Sequence, residues 1–198
     1  MRLTLTLLLL AAAATVAFLA VGRDDESPTA TDSGALTTVG DSLNVGTDPY
    51  LREALPHWDI AAQDQEGRST EQGLAVLREQ RSALAPVVVV SLGTNDAEGT
   101  EARFRELVDE AIALVGPDRC LVWATIVRDG TERTGFDDVL RNAADEHPNV
   151  RLVDWAGLVA GNEDLLEGDL VHGTPAGYAR RAEATADALR TCPARGPA

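Results

Sequence analysis

The sequence contains no lysine, few aromatic residues and only two cysteines. Its 17 basic side chains are all arginines, and they stand against 32 acidic ones, so the formal net charge is −15. This charge argues against nucleic-acid backbones and anionic membrane surfaces as partners. Aromatic residues make up 4% of the chain, so the core has to consist mainly of Leu, Val and Ala. With 198 residues, 44% of them hydrophobic, we expect one globular domain of ordinary size.

The scarcity of cysteine and histidine also limits metal binding. Cys120 and Cys192 have no nearby pair of histidines to complete a tetrahedral shell, so we expect no metal site. In an oxidising compartment the two cysteines can form one disulfide, and two separate buried thiols are the alternative.

Residues 1–22 differ in composition from the rest of the chain. Arg2 is followed by an uncharged run from Leu3 to Gly22, which is typical of a secretory signal peptide. The run also approaches the length of about 20 residues that spans a bilayer, so a retained signal anchor is the alternative. In both cases we expect the rest of the chain outside the cytoplasm, either secreted or anchored by this single segment.

The remaining chain divides into three parts. Residues 23–34 are rich in Asp, Ser, Thr and Pro, and we interpret them as a flexible linker. Residues 35–192 form the predicted domain, for which we expect a monomer, and residues 193–198 form a tail.

Short apolar runs alternate with helical patterns throughout the predicted domain. The predicted strands are Ala35–Val39, Trp58–Ala62, Val87–Leu92, Leu121–Ile126 and Val150–Val153. Helices are predicted over Glu71–Leu84, from Glu101 to Gly116, and after Thr174-Pro175, which resembles an N-cap followed by proline at the first helical position. This alternation predicts a three-layer α/β/α sandwich around a parallel sheet of about five strands.

The predicted topology separates the cysteines from any ligand site. Cys120 begins the fourth strand and Cys192 ends the last helix, so both belong at the edge where the strands begin. Ligands of open α/β sheets bind at the opposite edge, beyond the carboxyl ends of the strands. We therefore expect a structural bridge.

Four polar, glycine-bearing loops follow the strands at that opposite edge. They are Gly40-Asp41-Ser42-Leu43, Gly67-Arg68-Ser69-Thr70, Gly93-Thr94-Asn95-Asp96 and Gly168-Asp169-Leu170-Val171-His172-Gly173. Together they supply what acyl transfer requires, namely a nucleophile, a base and donors for an oxyanion.

Each loop suggests a role. Ser42 is the candidate nucleophile, His172 the base that accepts its proton, and Asp169 the carboxylate that orients the imidazole. The backbone N–H groups of Ser42 and Gly67 and the side-chain amide of Asn95 are the candidate oxyanion donors.

On these residues the chain resembles the SGNH hydrolases, also called the GDSL esterase/lipase family. Gly-Asp-Ser42-Leu matches the first motif of that family, Gly67 the loosely defined second, Gly-x-Asn95-Asp the third, and Asp169-x-x-His172 the last. The resemblance covers about residues 35–190. It implies an SGNH/flavodoxin-like fold and hydrolysis of esters or thioesters without metal or cofactor.

Other residues compete for some of these roles. Asp154 is an alternative orienting acid, and Gly73 is an alternative to Gly67. Arg68 is a candidate substrate-binding residue, with a solvated loop arginine as the alternative. His57 and His147 are expected to be surface or capping residues.

We therefore expect an extracytoplasmic serine esterase that acts on small-molecule or glycan esters, with short acyl groups because the loops are short. Two alternatives stay open. One is an O-acetyltransferase or deacetylase that acts on cell-envelope glycan. The other is a non-catalytic surface binding module.

Overall fold

The structure is a computed structural model that describes residues 33–193. The predicted segment 1–22, most of the predicted linker and almost all of the predicted tail lie outside the described residues. The elements, in chain order, are β1 (Gly34–Gly40), α1 (Ser42–Ala54), β2 (Trp58–Ala62), α2 (Thr70–Glu79), β3 (Val87–Ser91), α3 (Glu101–Val115), β4 (Cys120–Ala124), β5 (Val127–Arg128), β6 (Thr131–Glu132), α4 (Thr134–Glu146), β7 (Val150–Val153), α5 (Trp155–Val159), a 3₁₀ turn (Glu163–Leu165) and α6 (Pro175–Arg190).

Five parallel strands form the central sheet, in the order β2-β1-β3-β4-β7. Strand β3 has all five of its residues buried, as expected for a central parallel strand covered on both faces. Helices α2, α3 and α4 pack on one face, and α1 and α6 pack on the other. The three-layer α/β/α prediction is therefore confirmed.

The strand order places a topological switch point between β1 and β3. The chain leaves β1 towards β2 on one side and returns to β3 on the other. In doubly wound sheets the crevice beyond the carboxyl ends of two such strands is the usual ligand position. The loops that carry Ser42 and Asn95 follow these two strands directly.

Three predicted elements are shorter in the structure, and one of them, β3, ends only one residue early, at Ser91 instead of Leu92. Helix α2 ends at Glu79 instead of Leu84, because a turn in which the N–H of Ala83 donates to the carbonyl of Gln80 (2.8 Å) replaces the last helical turn. Strand β4 ends at Ala124 instead of Ile126, because the side chain of Asp137 in α4 accepts the N–H of Ile126 (2.9 Å).

Helix α4 and the β5–β6 hairpin were not predicted from the sequence. The helix carries Phe136, Val139, Leu140 and Ala143 on its buried face, with the spacing of an amphipathic helix. At the hairpin turn Asp129 and Gly130 have φ values of 53° and 71°, and Asp-Gly is a strong hairpin signal. Both patterns were present in the sequence.

A disulfide joins Cys120 to Cys192, with their Cα atoms 5.8 Å apart. It connects the start of β4 to the residues that follow α6, and this confirms the predicted pairing at the edge away from the four loops. Within residues 33–193 no helix is both long and apolar enough to cross a membrane.

Candidate active site

Ser42 is the first residue of α1 and directly follows the buried side chain of Asp41. Asp41 caps the helix, because its carboxylate accepts the backbone N–H of Leu43 (3.0 Å). The N–H of Ser42 stands in the first helical turn, where no intrahelical acceptor exists. The Ser42 hydroxyl and backbone N–H are thus fixed at the amino end of a helix, where its dipole favours negative charge.

The structure brings three of the predicted site residues into one hydrogen-bonded chain. His172 Nε2 lies 2.9 Å from Ser42 Oγ, and His172 Nδ1 lies 2.7 Å from Asp169 Oδ2. Because a carboxylate accepts hydrogen bonds only, Nδ1 carries the proton and Nε2 is free to accept the hydroxyl of Ser42. This is the arrangement of a nucleophile, a base and an orienting acid.

Asp169 is held as an anion by its hydrogen bonds. Its Oδ2 contacts the His172 ring, and its Oδ1 accepts the backbone N–H groups of Val171 (3.0 Å) and His172 (2.9 Å). These donors, the ring first, lower the pKa of Asp169 to about 2. The carboxylate therefore stays ionised at neutral pH, although its side chain is 53% exposed.

Asn95 links three of the four loops. Its side-chain Nδ2 donates to Asp41 Oδ2 (3.1 Å) and to the backbone carbonyl of Arg68 (3.2 Å). Both amide hydrogens have acceptors, so an oxyanion would have to share or displace one of them. Gly67 precedes Arg68 with a φ of +71°, and a Cβ at this position would meet no atom within 4 Å. Its backbone is open on the side away from the protein.

The side chain of Arg68 turns inward. Its guanidinium donates to the carbonyl oxygens of Gly40 (3.2 Å) and Gln63, and it lies 3.4 Å from the side-chain oxygen of Gln65. The residue is buried. These contacts favour a role in tying the second loop to the end of β1, rather than the substrate contact predicted for this residue.

The competing candidates lie elsewhere or have other contacts. The side chain of Asp154 caps α5 by accepting the N–H of Gly157 (3.1 Å). Gly73 is buried within α2, where a Cβ would approach Leu92 Cδ1 to 2.2 Å. His147 is the C-cap of α4, and His57 is exposed ahead of β2.

Arg181 in α6 is the main site residue that the sequence did not suggest. It is 2% exposed, and its guanidinium donates to Ser91 Oγ (2.9 Å) and lies 3.4 Å from Thr47 Oγ1. Ser91 ends β3 and Thr47 lies in α1, so one buried cation joins three elements that surround the nucleophile. The helical period places Arg180 on the same face as the exposed Glu183 and Asp187, and Arg181 on the same face as the buried Thr185 and Leu189. The buried position of Arg181 is therefore readable from the sequence, whereas its partners Ser91 and Thr47 are not.

Arg181 also affects the buried acid beside it. Burial raises the pKa of Asp41 to about 6, while the N–H of Leu43 and the charge of Arg181 oppose that rise. Burial likewise lowers the pKa of Arg181. Burial of the Asp41 carboxylate therefore costs free energy, and the same carboxylate contacts the helix that carries the nucleophile and the side chain of Asn95.

Within residues 33–193 no cluster of three or more His, Cys, Asp or Glu side chains could hold a metal ion. The chemistry of the described site is that of hydroxyl, imidazole, carboxylate and amide groups.

The chain is similar in sequence to a known family of enzymes. Residues 33–180 match the model of the GDSL-like Lipase/Acylhydrolase family. Over 145 residues the chain is 29% identical to the peptidoglycan O-acetyltransferase OatA of Listeria monocytogenes, an alignment that covers 70% of this chain and 21% of that protein. The chain thus matches only about a fifth of the length of this relative.

Solved structures with the same fold include two enzymes of related description. The C-terminal catalytic domain of peptidoglycan O-acetyltransferase A from Streptococcus pneumoniae superposes with a TM-score of 0.68 at 22% identity, covering 80% of this chain and 93% of that domain. A lipase/acylhydrolase from Enterococcus faecalis gives 0.69 at 19% identity, covering 79% and 95%.

Proposed function

The chain belongs to the GDSL-like lipase/acylhydrolase family of SGNH hydrolases, and from this premise we propose that it is a serine esterase with Ser42, His172 and Asp169 as its catalytic triad. The observation that carries the proposal is the continuous chain from Ser42 Oγ through the imidazole to Asp169, with distances of 2.9 and 2.7 Å. The proposed substrate is a carboxylic ester, and the short loops around the triad favour a short acyl group. The half-exposed Asp169–His172 pair agrees with an open site.

The reaction follows from the positions of the protons. Ser42 Oγ attacks the ester carbonyl while its proton moves to His172 Nε2. The tetrahedral intermediate collapses, the bond to the alcohol oxygen breaks, and the alcohol leaves with the proton from Nε2. Water then attacks the acyl-enzyme, gives one proton to Nε2, and the acid departs as that proton returns to Ser42 Oγ.

Charge that develops on the carbonyl oxygen needs donors. The N–H groups of Ser42 and Gly67 and the amide of Asn95 are proposed for this role, and each such donor is typically worth roughly 3–4 kcal/mol of transition-state stabilisation. Ionised Asp169 stabilises the imidazolium that forms when Nε2 is protonated.

A second candidate function is acyl transfer to, or removal from, cell-envelope glycan. It is favoured by the 29% identity to a protein described as a peptidoglycan O-acetyltransferase. In this reaction a sugar hydroxyl replaces water as the acceptor. The predicted export segment supports a location outside the cytoplasm for either activity.

The proposal is tested by assaying the purified protein on p-nitrophenyl acetate. Ser42→Ala should abolish hydrolysis and labelling by a fluorophosphonate probe, because it removes the hydroxyl that forms the acyl-enzyme, whereas Ser82→Ala, at an exposed position, should leave both unchanged. Equal activity of the wild type and Ser42→Ala would refute the triad, and absence of labelling in the wild type would support the binding-module alternative.

Adding a glycan oligomer to the assay separates the two catalytic functions, since transfer produces acetylated glycan and hydrolysis only free acetate.

A further inference from the structure

Arg181 in α6 is a buried cation whose hydrogen bonds go to neutral groups. Its Nη2 donates to Ser91 Oγ (2.9 Å), and its Nη1 lies 3.4 Å from Thr47 Oγ1. Its Nε has no hydrogen-bond partner within residues 33–193. A buried guanidinium without a matching negative charge is costly to a fold. The position of Arg181 therefore calls for a compensating anion in the interior.

Asp41 supplies most of that compensation. Burial lowers the pKa of Arg181, and Asp41, Tyr178 and Asp64 act against that change, Asp41 most strongly. The carboxylate of Asp41 is fully buried, so solvent screens its attraction to the guanidinium only weakly. Asp64 follows β2, and its Oδ2 already accepts two other side-chain donors. Asp41 and Arg181 thus form a buried anion and cation that interact through space.

Ser91, the last residue of β3, connects the two charged residues. Its hydroxyl oxygen accepts from Arg181, and its backbone carbonyl accepts the N–H of Asp41 (3.1 Å). One residue at the switch point between β1 and β3 therefore fixes both the guanidinium in α6 and the backbone that leads into the nucleophile helix.

The ionisation of Asp41 affects the third loop directly. Its Oδ1 accepts the N–H of Leu43 (3.0 Å), and its Oδ2 accepts the side-chain amide of Asn95 (3.1 Å). Both oxygens of a carboxylate accept, whereas a protonated carboxyl group turns one of them into a donor. If Asp41 gains a proton, a donor therefore faces a donor, and Asn95 loses one of the two acceptors that hold its NH₂ group at the site.

We propose that Arg181 is a positioning residue of the esterase site, whose charge keeps Asp41 in the ionised form that orients Asn95. The inference rests on the proposed esterase function and names a residue that acts on the same site from α6. The effect is indirect, because the hydrogen bonds of Arg181 go to other residues. The groups that act on the carboxyl of Asp41 are the N–H of Leu43 and the charges of Arg181 and His172.

The test compares Arg181→Gln with Arg181→Lys, two side chains of similar length that differ in charge. Both variants are assayed on p-nitrophenyl acetate from about pH 5 to about pH 9. For Arg181→Gln we expect kcat near neutral pH to fall about tenfold with little change in KM, since a misoriented oxyanion donor costs less than a missing one. The acid limb of the profile should move to higher pH, because Asp41 keeps its proton longer without the cation. Arg181→Lys should retain most of kcat and the wild-type profile, and a shift as large as that of Arg181→Gln would overturn the inference.

A double-mutant cycle with Asp41→Asn separates the proposed role from packing. In the Asp41→Asn background, Arg181→Gln should change kcat less than about twofold and leave the acid limb in place. A packing defect would lower kcat by the same factor in both backgrounds, and a direct effect of the charge on His172 would move the limb in both. Either result overturns the inference. If Arg181→Gln does not fold, a folded double variant supports the coupling of the two charges and an unfolded one contradicts it.

The matched control is Arg180→Gln, at the neighbouring exposed arginine that pairs with Glu183 (2.5 Å). It should leave kcat and the pH profile unchanged. Failure of the esterase proposal is a different result, since the wild type then does not hydrolyse p-nitrophenyl acetate. The coupling of the charges is measurable even in that case: the free energy of unfolding of Arg181→Gln relative to wild type should fall as the pH rises above about 6, the pKa of Asp41 in the wild type.

Discussion

At the scale of single residues, Asp41 is where the nucleophile and the Asn95 loop meet. One carboxylate oxygen caps the N–H of Leu43 and the other accepts the amide of Asn95. An ionised carboxylate needs no rotation to serve both donors, because all its lone pairs accept. The energetic cost is burial of the charge, which raises the pKa to about 6.

Asp41→Asn tests this cost through the pH dependence of stability. An acid whose pKa is higher in the folded than in the unfolded protein loses stabilising effect as pH rises through the interval between the two values, here from 3.8 to about 6. The free energy of unfolding of the variant relative to wild type should therefore rise by about 2 kcal/mol between pH 4 and pH 8. Urea unfolding at the two pH values measures it, and an unchanged difference would contradict the pKa assigned to Asp41.

The same variant should be less active at every pH. The amide at position 41 can still cap Leu43, but its NH₂ group then faces the NH₂ group of Asn95. Activity equal to wild type would show that the contact between Asp41 and Asn95 does not orient the amide.

Two arginines, Arg68 and Arg181, differ from what the sequence suggests about their contacts. Arg68 lies in a motif loop, which suggests a contact with substrate, yet its side chain contacts backbone carbonyls. Arg181 lies in no motif, yet it is a buried cation whose charge acts on Asp41. Motif spacing predicts which loops converge, whereas the direction of a long side chain depends on the packing around it.

At the scale of elements, α6 is held against α1 by the ring of Tyr178. A Cβ added to Gly46 in α1 would approach Tyr178 Cζ to 2.3 Å, and one added to Gly173 would approach Cδ1 to 3.0 Å. Gly173 directly follows His172, so the ring fills the space between the nucleophile helix and the histidine loop.

Gly46→Ala should consequently affect the triad without touching it. The added methyl group has to displace the Tyr178 ring, which typically costs 1–3 kcal/mol of stability, and the shift is transmitted to His172. We expect a lower thermal midpoint and reduced kcat on p-nitrophenyl acetate with little change in KM. The double variant Gly46→Ala/Tyr178→Leu should recover part of kcat, and failure of any recovery would place the defect elsewhere.

The sequence predicts some elements better than others. The five strands are predictable because the covered strands are apolar runs, such as Val87–Ser91, bounded by turns. The hairpin is marked in the sequence only by its Asp129-Gly130 turn, because its strands have two residues each, too few for any periodicity. The end of β4 depends on Asp137, a side chain of the next helix, α4, and such a contact between two elements leaves no periodic pattern in the sequence.

At the scale of the whole molecule, the candidate active site and the disulfide lie at opposite edges of the sheet. The four loops gather at the edge where the strands end, and the disulfide lies at the edge where they begin. We therefore expect that the stabilising disulfide can be removed without altering the chemistry of the four loops at the opposite edge.

Removal of the disulfide tests this separation. The bond closes a loop with a sequence separation of 72, for which loop entropy alone gives about 4 kcal/mol. The free energy of unfolding of Cys120→Ala/Cys192→Ala, measured by urea titration, should thus be lower than that of the wild type by roughly this amount. At 25 °C, where the variant is still folded, it should hydrolyse p-nitrophenyl acetate at the wild-type rate. Reducing agent should lower the stability of the wild type and leave the variant unchanged. Loss of activity in the folded variant would instead mean that the bond at the far edge sets the position of α6, and with it the histidine loop.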